Sequence, residues 1–325
     1  MRVDERRARR TAMRLALVAL GVAAATALLL ARAPGGSRAG EPGPDADPAR
    51  AAPPRPVSER VHPRLLEAAA WAGRGAWDSA AVELARHVEA SEGRGDALVD
   101  AYRLASIGAW LGILARDRVE EFRRALRRVE GDLSPPLAAD VAWLDGLLAF
   151  IDHDGRRMDE ARLRLRDTGA GPATDLERSL RGFQLALDGD EVRGARMLRR
   201  LEEDRAGRTG TGPPGRDVSF LTPVNRIAAA HWFIRNGRSA DALELLDPPA
   251  PAAPASAGAG VADITLAAFV HLQRARAQAA LGLDGAARED FREFLRRYDL
   301  PEGPARGWAR DAREALDGEA PVPRR

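Results

Sequence analysis

Apolar side chains recur through residues 61–300 at intervals of three and four, the spacing that gathers them on one face of an α-helix. The stretch His231–Leu246, HWFIRNGRSADALELL, shows how this pattern is punctuated. Upstream of Gly237, the residues Ile227, Ala230, Phe233 and Ile234 share a face; downstream, Ala242, Leu245 and Leu246 share another. An Asn-Gly pair between two such runs predicts a helix closed by a left-handed cap and a second helix folding back on the first. Ala242, five residues past the glycine, is small enough to let the two helices approach closely.

The same punctuation recurs. Gly75 is followed by Ala80, Leu84 and Val88; Gly189 by Gly194, Leu198 and Leu201; Gly282 by Ala287, Phe291, Phe294, Leu295 and Tyr298. Gly155 leads to Ala161, one residue longer, and a weaker copy is expected near Ala115, between AYRLASIGAWLGILA and VEEFRRALRRV. Gly75 and Gly155 are 80 residues apart, two units of 40, and the next intervals are 34, 48 and 45. The two longest hold insertions, AGRTGTGPPGR at 206–216 and PPAPAAPASAGAG at 248–260. Helix pairs recurring at this period predict an all-α chain, an α-solenoid of five to six helix-turn-helix units. The segment EGPARGWARDAREAL, 302–316, reads as a solvated capping helix for its C-terminal end.

The repeated unit resembles the tetratricopeptide repeat family. In that pattern a glycine closes the first helix, a bulky residue follows two positions later and a small one five positions later. Gly75-Ala76-Trp77-Asp78-Ser79-Ala80 fits it, with Trp71 in the first helix. NGRSADALELL fits without the aromatic, and LGLDGAAREDFREFL fits with Phe291 and Phe294 as the bulk of the second helix. The resemblance covers about residues 61–300, and the copies at 108–129 and 143–165 depart from it. It implies a concave surface lined by the first helices of each pair, in which a protein or peptide partner lies. The first-helix positions that would make the contacts include His231, Arg235, Gln273 and Arg276.

The N-terminus has a different pattern. Residues 1–14 are basic, and Leu15–Ala31 runs without a charge. At 1.5 Å per residue that run spans roughly 26 Å, near the lower limit for crossing a bilayer. Six arginines precede it and only Arg32 and Arg38 follow closely, which puts the N-terminus in the cytoplasm and the remainder outside. The alternative is a cleaved signal, for which Ala31-Arg32-Ala33 offers small residues at the peptidase spacing. Residues 34–56 hold seven prolines and four glycines, a spacer rather than a folded element. The expected organisation is therefore a cytoplasmic basic segment at 1–14, a transmembrane helix at 15–31, a linker at 32–58, the solenoid at 59–318 and a tail at 319–325.

Composition narrows the chemistry. The chain has no cysteine, which excludes disulfides, thiol nucleophiles, Cys-ligated zinc and a lipid-modified cysteine. All fifty basic residues are arginine, so neither a P-loop lysine nor a Schiff-base amine exists. The sequence pI is near 9.8, yet residues 1–14 carry +4 of a total of +2, leaving the rest of the chain at −2. A slightly acidic body is a poor ligand for phosphate backbones, so no nucleic-acid partner is expected.

The five histidines, at 62, 87, 153, 231 and 271, form no HExxH or HxH pair. IDHDG at 151–155 places two carboxylates beside His153, where a turn is expected; Glu202, Glu203 and Asp204 read as a solvated helix end. GTGPPG at 210–215 lacks the strand-turn-helix context of a dinucleotide loop, and no serine stands in a GxSxG elbow. No catalytic, cofactor or metal residue is assigned. The expectation is a bacterial inner-membrane protein whose extracytoplasmic solenoid is a scaffold for another protein. The alternatives are a cleaved periplasmic form that self-associates or spaces other domains, and an enzyme with an unrecognised helical site.

Overall fold

The computed structural model describes residues 62–167, 171–208, 220–247 and 261–318. The basic segment, the apolar run Leu15–Ala31, the linker, most of both insertions and the tail at 319–325 lie outside these. Among the described residues no helix is long and apolar enough to cross a membrane.

The described chain is all-helical: α1 (Pro63–Gly73), α2 (Trp77–Ala90), α3 (Gly95–Trp110), α4 (Arg116–Arg127), α5 (Pro135–Ile151), α6 (Gly155–Asp167), α7 (Gly171–Leu187), α8 (Glu191–Arg208), α9 (Leu221–Arg235), α10 (Ser239–Leu246), α11 (Val261–Ala280), α12 (Asp284–Arg297) and α13 (Arg306–Leu316). The first twelve form six hairpins, each odd-numbered helix folding back through a short turn onto the helix that follows.

All six turns have one geometry. A left-handed residue closes the first helix, and the next amide donates to the carbonyl five positions earlier. The donors and acceptors are Ala76 to Trp71, Ile113 to Gly108, Asp154 to Ala149, Asp190 to Leu185, Arg238 to Phe233 and Leu283 to Gln278, at 2.8–3.0 Å. This pairing satisfies carbonyls that a helix end leaves open. The left-handed residues are Gly75, Gly112, His153, Gly189, Gly237 and Gly282. One expectation is thereby corrected: Gly155 begins α6 instead of closing α5, and that turn belongs to His153, at φ 54°. The weaker copy near Ala115 is present, its turn at Gly112 and Ala115 standing just before α4. A histidine tolerates the left-handed region at modest cost, and Asp154 beside it accepts the Arg157 amide at 3.0 Å, capping α6.

The helix contacts within and between hairpins depend on small residues. A Cβ on Gly194 of α8 would lie 2.5 Å from the Gly182 carbonyl oxygen of α7, and one on Gly146 of α5 would meet Leu180 of the neighbouring α7 at 2.5 Å. Ala80, Ala161, Ala242 and Ala287 of the second helices are all buried.

Odd and even helices differ in composition and burial. On α6 only Met158, Ala161 and Leu165 are buried, one stripe of an otherwise charged helix. On α5, ten residues between Ala139 and Ala149 are buried, which surrounds the helix on every side. The odd helices form an inner layer, α3 on α5, α5 on α7 and α9 on α11, with the even helices outside. Non-neighbouring inner helices also meet. Trp143 and Phe150 of α5, Phe183 of α7, Phe220 just before α9 and Trp232 of α9 form a run of edge-to-face rings with centroids 5.2–6.4 Å apart, and Arg103 of α3 lies 4.6 Å over Phe220. The expected concave surface is therefore filled by the chain's own side chains along this stretch.

The inner layer closes on itself. The end of α1 packs against α11, where a Cβ on Gly73 would lie 2.7 Å from the Ile264 carbonyl oxygen. The chain after α12 fastens this joint. The Leu300 and Glu302 amides donate to the Arg74 and Gly75 carbonyls at 2.9 and 3.0 Å, and the Arg74 guanidinium donates twice to Asp299 at 2.7 and 2.8 Å. The C-terminal helix α13 packs on α12, and its Trp308 indole N–H donates to the Leu111 carbonyl at the end of α3, at 3.3 Å.

Candidate functional site

Polar groups in the inner layer form two hydrogen-bonded networks. In the first, the Trp143 indole N–H donates to Ser179 Oγ (3.2 Å), Ser179 donates to Asn225 Oδ1 (2.7 Å) and Asn225 Nδ2 donates to Glu202 Oε1 (2.8 Å). All four residues are buried, and together they tie α5, α7, α9 and α8. Glu202 is thus not part of a solvated helix end: at 7% exposure it is turned inward to meet Asn225, while Glu203 pairs with Arg199 and Asp204 with Arg178 at the surface. In the second network Asp145 accepts from the Tyr102 hydroxyl (2.6 Å), Arg123 (2.9 Å) and Arg164 (2.8 Å), and Arg123 also reaches Glu130. Burial, then the Asp145 charge, pushes the Tyr102 hydroxyl well above its ordinary range, so it stays a neutral donor. Burial opposes the Arg123 charge, but the carboxylates of Glu130 and Asp145 outweigh it and raise its pKa. Every charge here is matched by another charge of the same chain, the arrangement of a structural network.

His271 and Arg274 of α11 converge on Asp290 of α12, His271 Nδ1 at 2.8 Å and the guanidinium through two bonds at 2.6 Å. Burial works against the Asp290 charge, and the bonds from Arg274 and His271 overcome it and lower its pKa. Around His153, Asp152 pairs with Arg116 and Arg157. Among the described residues no three His, Asp or Glu side chains are placed to hold a metal ion.

The four positions expected to meet a partner lie on α9 and α11, and the structure brings three of them together. His231 is half-buried, and its pKa is lowered to about 4 by burial first and then by the charges of Arg276 and Arg235. Arg235, with a 51% exposed side chain, pairs with Glu191 at 2.9 Å. Arg276 is half-buried with its guanidinium 5.0 Å over the Trp308 ring of α13; burial lowers its pKa, and the Asp311 charge only partly offsets this. Gln273 is 3% exposed, with Oε1 lacking a hydrogen bond among the described residues. Only Arg235 of the four is presented openly to solvent. Trp308 and Asp311 complete this cluster, and sequence reasoning missed both because a capping helix gives no signal of what it touches.

No protein-family model, curated protein or solved structure matches the chain.

Proposed function

We propose that this protein is a scaffold of the bacterial envelope: a body of tetratricopeptide-like helix pairs that binds another protein, held outside the cytoplasmic membrane by the apolar run Leu15–Ala31. The observation that carries the reading is the recurrence of one turn geometry across six helix pairs, the construction of proteins whose surfaces serve binding. Because side chains fill much of the inner face, the reading places the partner at the rim, where α9 and α11 end. There Arg235, half exposed and paired with Glu191, stands beside His231 and Arg276, and an acidic group of the partner would exchange for Glu191.

The test is in-cell crosslinking of tagged full-length protein, followed by mass spectrometry of what it captures. An enriched envelope protein that is lost with Arg235→Glu supports the reading, and the N-terminal peptide recovered with the bait reports whether the apolar run is retained. Clean recovery of bait with no enriched protein sinks it. A bait crosslinked only to itself favours self-association instead.

A further inference from the structure

The C-terminal helix is docked in a way that leaves favourable contacts unmade. Its buried apolar residues are alanines, Ala309 and Ala312, preceded by Ala305, with Trp308, Ala315 and Leu316 only partly buried. Alanine burial contributes little, since the stabilisation scales with apolar area. By contrast α12 and the residue after it bury Phe291, Phe294 and Tyr298. The anchor of α13 is Trp308, edge-on to Phe269 at 5.8 Å, over Arg276 at 5.0 Å and bonded to the Leu111 carbonyl. One turn on, the buried Asp311 Oδ1 has no hydrogen bond among the described residues and only a long ion pair, at 3.5 Å, with the adjacent Arg310. Asp311 is near enough to act on Arg276 but closes no salt bridge with it. The Gln273 Oε1, three residues before Arg276 on α11, also lacks a hydrogen bond among the described residues.

We propose that α13 is an exchangeable occupant of a helix-binding surface, and that the partner presents a helix with an aromatic side chain and, three residues later, a carboxylate that takes its place. The aromatic replaces Trp308 against Phe269 and Arg276, and the carboxylate forms the ion pair with Arg276 that Asp311 leaves open. The proposal rests on the protein-binding reading above and names the partner's chemistry. Pro301, Gly303 and Pro304, between α12 and α13, end one helix before the next begins, so α13 can leave without unwinding α12.

The probe is a fluorescein-labelled peptide of residues 303–318, titrated into full-length protein with anisotropy as the readout. It binds the Trp308→Ala chain, whose own α13 is loosened, and binds the unaltered chain at least about tenfold more weakly because the tethered helix competes. A peptide carrying Asp311→Arg loses binding. A Trp308→Ala chain that keeps its helical circular dichroism yet ignores the peptide overturns the proposal. If that chain does not fold, hydrogen exchange on the unaltered protein decides. Amides of 306–316 that open well before those of α5 support exchange, and equal protection overturns it. A partner captured in cells by a chain that fails both tests leaves the scaffold reading standing and removes only the exchange.

Discussion

His231 shows how a single residue is set by its surroundings. Burial and two nearby guanidinium groups hold it neutral down to about pH 4, while in an unfolded chain it protonates near its ordinary value of 6.5. Above 6.5 it is neutral in both states and contributes no pH dependence. As the pH falls from 6.5 toward 4 the unfolded chain takes up the proton first, so folding stability is lost across this window, by about 1–3 kcal/mol for a half-buried imidazole. Denaturant titrations at pH 7 and pH 4.5 check this. The His231→Gln protein, whose carboxylates titrate as before, is expected to lose less stability between the two pH values than the unaltered protein. Equal losses would show that the imidazole is solvated in the folded chain.

At the scale of elements, the joint between α1 and α11 invites a contrast between packing and charge. The Arg74–Asp299 pair is bidentate but open to water, where ion pairs contribute little. Gly73 is where the two helices touch, and an added methyl group meets the Ile264 carbonyl oxygen at 2.7 Å. Alanine at this position favours the helix by itself, so any loss reports the contact. Gly73→Ala is expected to destabilise the protein by about 1–3 kcal/mol through forced separation of the helices. Arg74→Ala is expected to leave the unfolding midpoint unchanged. Chemical denaturation of both variants is the measurement, and the reverse order would mean that the clasp after α12 holds the joint by charge.

Closure makes the helical body from Pro63 onward different from an open array of repeats. In an open array each unit contacts only its neighbours, so the ends fray and the middle persists. Here the first and last inner helices pack together, and rings from α5, α7 and α9 share one cluster. Loss of any pair therefore removes support from the others. Unfolding by denaturant is expected to be a single transition, with far-UV circular dichroism and tryptophan fluorescence superimposing. The indoles at 71, 77, 110, 143, 232 and 308 are spread over the body, so fluorescence samples several of its pairs. Non-coincident curves would show that pairs melt independently and that the closing contact is weak.

The amino-acid sequence by itself determined that the chain is all-helical, and it located four of the six turns that close the helix pairs. Gly75, Gly189, Gly237 and Gly282 were legible because a left-handed cap is local chemistry, decided within a few residues. Ala80, Gly194, Ala242 and Ala287 were legible for the same reason: each stands five residues past its glycine, each is buried, and Gly194 lies against Gly182 of its own hairpin. His153 was missed because its side chain does not announce a left-handed backbone, and the nearby Gly155 does. The tertiary structure alone decided that Glu202 turns inward to Asn225, that Arg276 lies on Trp308 and that α1 meets α11. These contacts join residues tens to nearly two hundred positions apart. They depend on the angle added at every pair, and no local pattern of apolar and polar positions records that sum.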